Sequence, residues 1–171
     1  QVQVPVLGNE SNPVWARLAR SFASENFGAF YVPEIGDEVV LGFFNDDPAH
    51  AVVLGSLYSS KHPPPYEMAA DNNVKGFLSR AELRLEYDEE KKRILIETPA
   101  GNRVVLNEDD KSVRIEDQTG NTMTLDDSGI AIFSPKDIKI DADGKIQMTA
   151  KGAISTKSDA ELAAVGKFVT I

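Results

Sequence analysis

The chain contains no cysteine and only two histidines, His50 and His62. Without thiols there are no disulfides and no thiolate metal sites, and the redox compartment stays open. Positive charge is also scarce: 18 basic residues stand against 27 acidic ones, a net charge of −9. Nucleic-acid backbones call for clustered Lys and Arg, so nucleic acid is not an expected partner. No apolar run approaches the length of a membrane-spanning helix. There is no visible signal peptide, and the first residue is Gln rather than Met, so the sequence reads as a piece of something longer. Aromatics make up 8% and include a single Trp, but 42% of residues are apolar, enough for packed structure.

The most regular feature lies near the end, in "DIKIDADGKIQMTAKGAISTKSDAEL" (137–162). Ile138, Ile146, Ile154 and Leu162 recur every eight residues, with Ile140, Met148, Thr156 and Ala164 two places on. Counting back eight from Ile138 and Ile140 adds Ile130 and Ile132. Side chains two apart share one face of a strand, whereas a helix places its stripe at three and four. Each octad therefore reads as a short strand with two inward residues, then a turn. Gly144 and Gly152 share one octad position, where a turn residue with positive φ is expected. The segment 168–171 fits better one residue out of step.

A longer repeat precedes the octads. Residues 94–112 align with 113–131 at a shift of 19: Ile94 with Val113, Ile96 with Ile115, Gly101–Asn102 with Gly120–Asn121, Leu106 with Leu125. The Gly-Asn pairs and the Asp-rich corners holding Asp109, Asp110, Asp126 and Asp127 suit turns between strands. They lack the calcium nonapeptide pattern and read as solvated. "EYDEEKKR" (86–93) reads as a charged turn with Asp88 through Lys92 outside.

Earlier residues carry most of the aromatics. Val2, Val4 and Val6 alternate, Val14–Leu18 alternates weakly, and Val39–Phe44 and Ala51–Leu57 are apolar runs suited to strands buried on both faces. "NDDPAH" (45–50) reads as a hairpin loop, and Pro33 and Gly36 as shaping a turn whose carboxylates cap backbone amides. Trp15 is expected to pack in a barrel or between copies. His50 and His62 read as lone surface residues. Residues 1–58 thus suggest a small barrel, 59–80 a Pro-rich connector and transition, and 81–171 a repetitive β needle.

Energetics favour three chains for that needle. Ordering eight residues costs roughly 8–16 kcal/mol of backbone entropy, and burying two Ile side chains returns about 3–6 kcal/mol. One octad cannot close a core alone. Three chains winding together give a prism in which every strand edge has a neighbour, with Ile130, Ile132, Ile138, Ile140, Ile146, Met148, Ile154 and Leu162 at its axis.

"WARL" (15–18), "FGAFYVPEIGDEVVLGFFNDDP" (27–48) and "VVLGSLYSS" (52–60), followed by the octads, resemble the VgrG spikes of type VI secretion and the related spikes of contractile phage tails and extracellular injection systems. The resemblance implies an all-β chain: an N-terminal OB-fold barrel followed by a trimeric, intertwined β-helix. It implies a structural spike that pierces target envelopes and seats on a hub, baseplate and inner tube protein. A PAAR-like tip protein and effector cargo are further implied partners, the target membrane a transient one. Assembly would be cytoplasmic, in a bacterium, followed by delivery outside the cell. The tube-hub region that family members carry ahead of the barrel is not in this sequence, and residues 59–80 leave no room for the phage relative's lysozyme domain. The His-x-His iron site of some phage spikes has no match here. Catalytic residues, cofactor and metal therefore do not carry over. The competing reading is a carbohydrate- or cell-wall-degrading β-helical enzyme, which would need paired carboxylates in a groove.

Overall fold

The computed structural model describes residues 1–4 and 13–167. Val6 and the 168–171 segment lie outside the described residues. The described chain is β throughout, with two single 3-10 turns.

In the N-terminal region, β1 (Ala16–Leu18), β2 (Glu38–Phe43) and β3 (Ala51–Leu57) form one sheet in the order β1-β3-β2. β1 runs parallel to β3 and β2 antiparallel to it, with a bulge between Val40 and Leu41. Isolated bridges join Val2 to Val14 and Ala23 to Gly28. The small core sits under the start of β3, where Ala51, Val52 and Val53 are buried. The expectation of burial on both faces holds only there: β2 stays half-buried at best. Trp15 is 78% exposed and does not pack into this sheet. Its neighbour Ala16 pairs with Ala51 at the sheet edge, where β1 has a strand on one side only.

Turn chemistry follows the sequence closely. Two 3-10 turns, Phe44–Asp46 and Pro48–His50, make the loop between β2 and β3, and the Asp47 carboxylate accepts from the Ala49 amide at 2.9 Å. Asp37 accepts from the Glu34 amide at 2.8 Å, closing a turn in which Gly36 takes φ of +100°. His50 is not alone: its Nδ1 lies 3.0 Å from Asp47, three residues back, a pairing that a 3-10 turn brings about.

Seven strands follow: β4 (Val74–Leu78), β5 (Arg84–Asp88), β6 (Arg93–Glu97), β7 (Arg103–Asn107), β8 (Ser112–Glu116), β9 (Thr122–Asp126) and β10 (Gly129–Phe133). Each pairs antiparallel with the next, so the sheet is a simple meander. The 19-residue period is one up-and-down pair of strands. It begins earlier than residue 94, because β4 and β5 stand 19 residues before β6 and β7. The corners repeat with it. Ser79, Thr98 and Asp117 occupy one repeat position, and each accepts a hydrogen bond from the residue four places on, at 3.1, 3.0 and 2.9 Å. On the opposite side Asp88, Asn107 and Asp126 each accept from a backbone amide in their own turn.

One corner position takes positive φ in all three copies: Glu82 (60°), Gly101 (94°) and Gly120 (90°). Glycine takes this region freely, whereas an L side chain pays roughly 1–2 kcal/mol. Glu82→Gly should therefore stabilise the protein by about 0.5 kcal/mol after the added chain entropy is subtracted. Thermal melting checks this, and an unchanged or lower midpoint would show that the Glu82 side chain contributes more than its strain costs.

From 134 to 167 the chain forms no strand among the described residues. Bends fall at 135–136, 143–144, 151–152 and 159–160, a spacing of eight with extended segments between. Each octad is therefore an extended segment and a corner: the turn falls where the pattern predicts, but the predicted strand is not formed among the described residues. Gly144 and Gly152 lie in two of these bends but do not take positive φ, contrary to expectation. The bends turn without the left-handed region, and at the same octad position Pro135–Lys136 makes the corner with no glycine. Ser134 and Ser158, three octads apart, each accept from the amide two residues on, at 3.1 and 3.2 Å.

Candidate assembly surface

Strand alternation divides the meander into two unlike faces. The second and fourth residues of each strand point one way and line up across the register. One row runs Phe77, Leu85, Ile96, Val104, Ile115, Met123, Ile132. The adjacent row runs Lys75, Tyr87, Ile94, Leu106, Val113, Leu125, Ile130. Apart from Lys75, which ion-pairs with Glu89 at 3.3 Å at the sheet edge, both rows are apolar.

The other face carries charge. Arg93 donates to Glu86 at 3.0 Å, and Arg84 lies 3.7 Å from Glu86 and 3.6 Å from Glu97. Further along, Arg103 and Arg114 converge on Glu116 at 2.9 and 3.0 Å and hold its carboxyl below the usual range. These long side chains lie over their own strands, and Leu95 beneath them is 6% exposed. Glu86 and Asp88 are also buried. This corrects the reading of 86–93 as an exterior turn, since Glu86 and Asp88 lie buried on a strand under the arginines of the charged face and only 89–92 turn outside. Buried carboxylates persist because arginines and backbone amides pair with them.

The covered face is thus the charged one, and the apolar face is bare. Ile96 is 51% exposed, Ile115 44%, Ile130 69% and Ile132 62%. An antiparallel sheet normally turns its apolar face to a core. A contiguous apolar surface of this size marks an interaction site. The octads prolong it: Ile138, Ile140, Ile146, Met148, Ile154 and Leu162 are all more than half exposed. Among the described residues their backbone also has no strand neighbour, so both side chains and peptide groups lack cover there. The sequence reading named Ile130 and Ile132 and the octad positions. It did not assign Ile94, Ile96, Val104, Leu106, Val113 and Ile115 to the same surface, although their alternation within the 19-residue repeat is the signal that finds them.

The corners hold a set of hydrogen-bonded and ion-paired carboxylates. Asp117 accepts from the Asn121 and Thr119 side chains at 2.6 and 2.7 Å and from both amides, which holds its pKa far below the ordinary value. Asp126 is lowered by the Ser128 hydroxyl and amide, and Asp88 by the Lys91 amide. Asp109 pairs with Lys92 at 2.8 Å, and Asp110 accepts from Asn107 at 2.6 Å. A carboxylate whose folded pKa is depressed contributes stability above its unfolded pKa and loses it as pH falls through the folded value. The meander should therefore weaken progressively below about pH 4. Asp117→Asn should lower the melting temperature at pH 7 and narrow the gap between pH 7 and pH 3. An unchanged gap would show that the corner carboxylates do not drive the acid transition.

Two comparisons match this architecture. Residues 1–58 match the family described as the type VI secretion system/phage-baseplate injector OB domain. Residues 93–160, the later meander and the octads, match the phage baseplate V C-terminal trimerisation domain. The chain thus carries matches to both an injector OB module and a baseplate V trimerisation module. Among its relatives, the type VI secretion system spike protein VgrG1b of Pseudomonas aeruginosa is 29% identical over 98 residues, 52% of this chain and 13% of that protein. VgrG1a of the same organism is 33% identical over 73 residues, 43% of this chain and 11% of the relative. The actin cross-linking toxin VgrG1 of Vibrio cholerae is 34% identical over 61 residues, 36% of this chain and 6% of the relative. The chain thus spans a small part of the length of these relatives. The family's OB and trimerisation modules fall on the two sheet-bearing regions, and the bare apolar face lies in and just ahead of the trimerisation match.

Proposed function

We propose that this chain is the spike segment of a contractile injection machine and works as a homotrimer. The observation that carries this reading is the bare apolar face running from β4 to β10 and continuing into octads that, among the described residues, have no ladder of their own. Three copies place their apolar faces toward a common axis and supply one another's strand edges. In this arrangement Ile130, Ile132, Ile138, Ile140, Ile146, Met148, Ile154 and Leu162 fill the axis, and the arginine–glutamate face looks outward. The octads wind as an intertwined β-helix. The work of such a rod is mechanical: strand ladders running between chains make it narrow and stiff, and no bond is made or broken. The net charge of −9 per chain keeps the rod soluble and weakly adherent to anionic envelopes.

In this reading the N-terminal domain seats the rod on a hub or baseplate and the inner tube. The far end carries a PAAR-like tip and cargo, and the target membrane is met only in passage. The machine is assembled in a bacterial cytoplasm and the spike leaves the cell with it. Analytical ultracentrifugation tests the reading most directly: a species of three chains is expected. A stable, folded monomer would refute it. Release of dye from labelled cell-wall sacculi would favour the hydrolase instead.

A further inference from the structure

β4 is an edge strand of the meander and has a glycine at its centre. Such a strand is weakly held by its ladder alone. Side chains from outside the meander grip it on both faces and at one end. On the charged face Tyr66 of the Pro-rich connector lies over it. The Tyr66 hydroxyl is buried, and a Cβ added at Gly76 would lie 3.3 Å from it. Burial pushes this phenol up, and the facing Glu86 carboxylate pushes it further. On the apolar face the Tyr31 ring stacks on Phe77, with centroids 5.4 Å apart and planes at 9°. At the end of β4, Arg80 donates to Glu34 at 3.3 Å. The repeat explains the glycine. Its equivalents 19 and 38 residues on are Leu95 and Arg114, both with side chains over that face. Only the first copy leaves the place empty, and Tyr66 occupies it.

We infer that these contacts form a clamp that joins the N-terminal domain and the meander into one rigid body, with the connector a fastened strap rather than a joint. Tyr31 and Glu34 belong to the N-terminal domain, Tyr66 to the strap, and Phe77, Gly76 and Arg80 to the meander. Three separate stretches of chain must part before the junction can swing. The purpose of the clamp rests on the spike reading: thrust delivered to the N-terminal domain passes to the rod without bending at the connector.

Glutamyl endopeptidase tests the clamp on the intact chain under native conditions, because Glu67 is exposed and adjoins Tyr66. Wild type and Tyr66→Phe, which keeps the ring, should be cut slowly after Glu67. Tyr66→Ala should be cut at least tenfold faster. The double variant Tyr31→Ser with Glu34→Gln leaves the meander sequence unchanged and should also raise the rate, so it decides the matter if Tyr66→Ala disturbs β4 itself. Wild-type cleavage as fast as that of denatured chain, or no increase in the double variant, would overturn the clamp. The trimer band on an unboiled gel, followed in parallel, reports separately on the spike reading. Its absence from wild type would count against the trimer while the cleavage comparison still judged the junction.

Discussion

Replacing Ile146 with Asp will abolish the SDS-resistant trimer, whereas replacing Gln147, one residue along, will leave it intact. Adjacent residues of an extended segment point to opposite sides. In the proposed trimer Ile146 would meet its two copies around the axis, and Gln147 would face water with Lys145. Three carboxylates around one apolar axis cannot all ionise without large cost, and none has a partner there. Gln147→Asp adds three solvated charges and should cost less than about 0.5 kcal/mol. Interlocked chains cannot leave singly, so the wild-type trimer should unfold slowly and survive SDS without boiling. The readout is that gel band, supported by sedimentation. Equal behaviour of the two variants would mean that the register is off by one, since a one-residue slip exchanges the faces.

The second large effect is expected at Gly76. A Cβ there would lie 2.5 Å from the Leu85 carbonyl oxygen and 3.2 Å from the Glu86 Cα, both backbone atoms that cannot turn aside. Gly76→Ala must therefore push β4 away from β5 and lift Tyr66, at a cost of about 1–3 kcal/mol. Gly144→Ala is the contrasting case. Gly144 has open space around its Cβ position and no positive φ. Alanine there should be tolerated, and should stabilise by up to about 0.4–1 kcal/mol because the unfolded chain loses freedom. Thermal melts of the two variants check the contrast. A neutral Gly76→Ala would show that the β4–β5 approach is looser than described. A damaging Gly144→Ala would show that a neighbouring copy fills that space.

Much of this protein was determined by the sequence alone. The octad period predicts short strands and turns, and bends do fall every eight residues, although no strand forms between them among the described residues. The 19-residue period predicts paired strands, and its Gly-Asn and Asp-rich turns are where it places them. The "WARL" and "FGAFYVPEIGDEVV" stretches point to the family whose OB and trimerisation modules the chain matches. These features are legible because alternation and turn preference act within a few residues of chain.

Only the tertiary structure decided what lies far apart in sequence or hides under unlike side chains. The first 19-residue repeat escapes the sequence because Glu82 stands where Gly101 and Gly120 stand, and Gly76 where Leu95 and Arg114 stand. Its backbone path survives those changes, since the same corner hydrogen bonds and the same positive φ are met by other residues. The burial of Glu86 and Asp88 depends on Arg84, Arg93 and the Tyr66 strap, and their charge alone suggests the opposite. Tyr31 meets Phe77 across 46 residues of chain, a contact that no local pattern encodes. Local backbone geometry sets which way each side chain points, but what comes to cover it is settled by packing between distant segments.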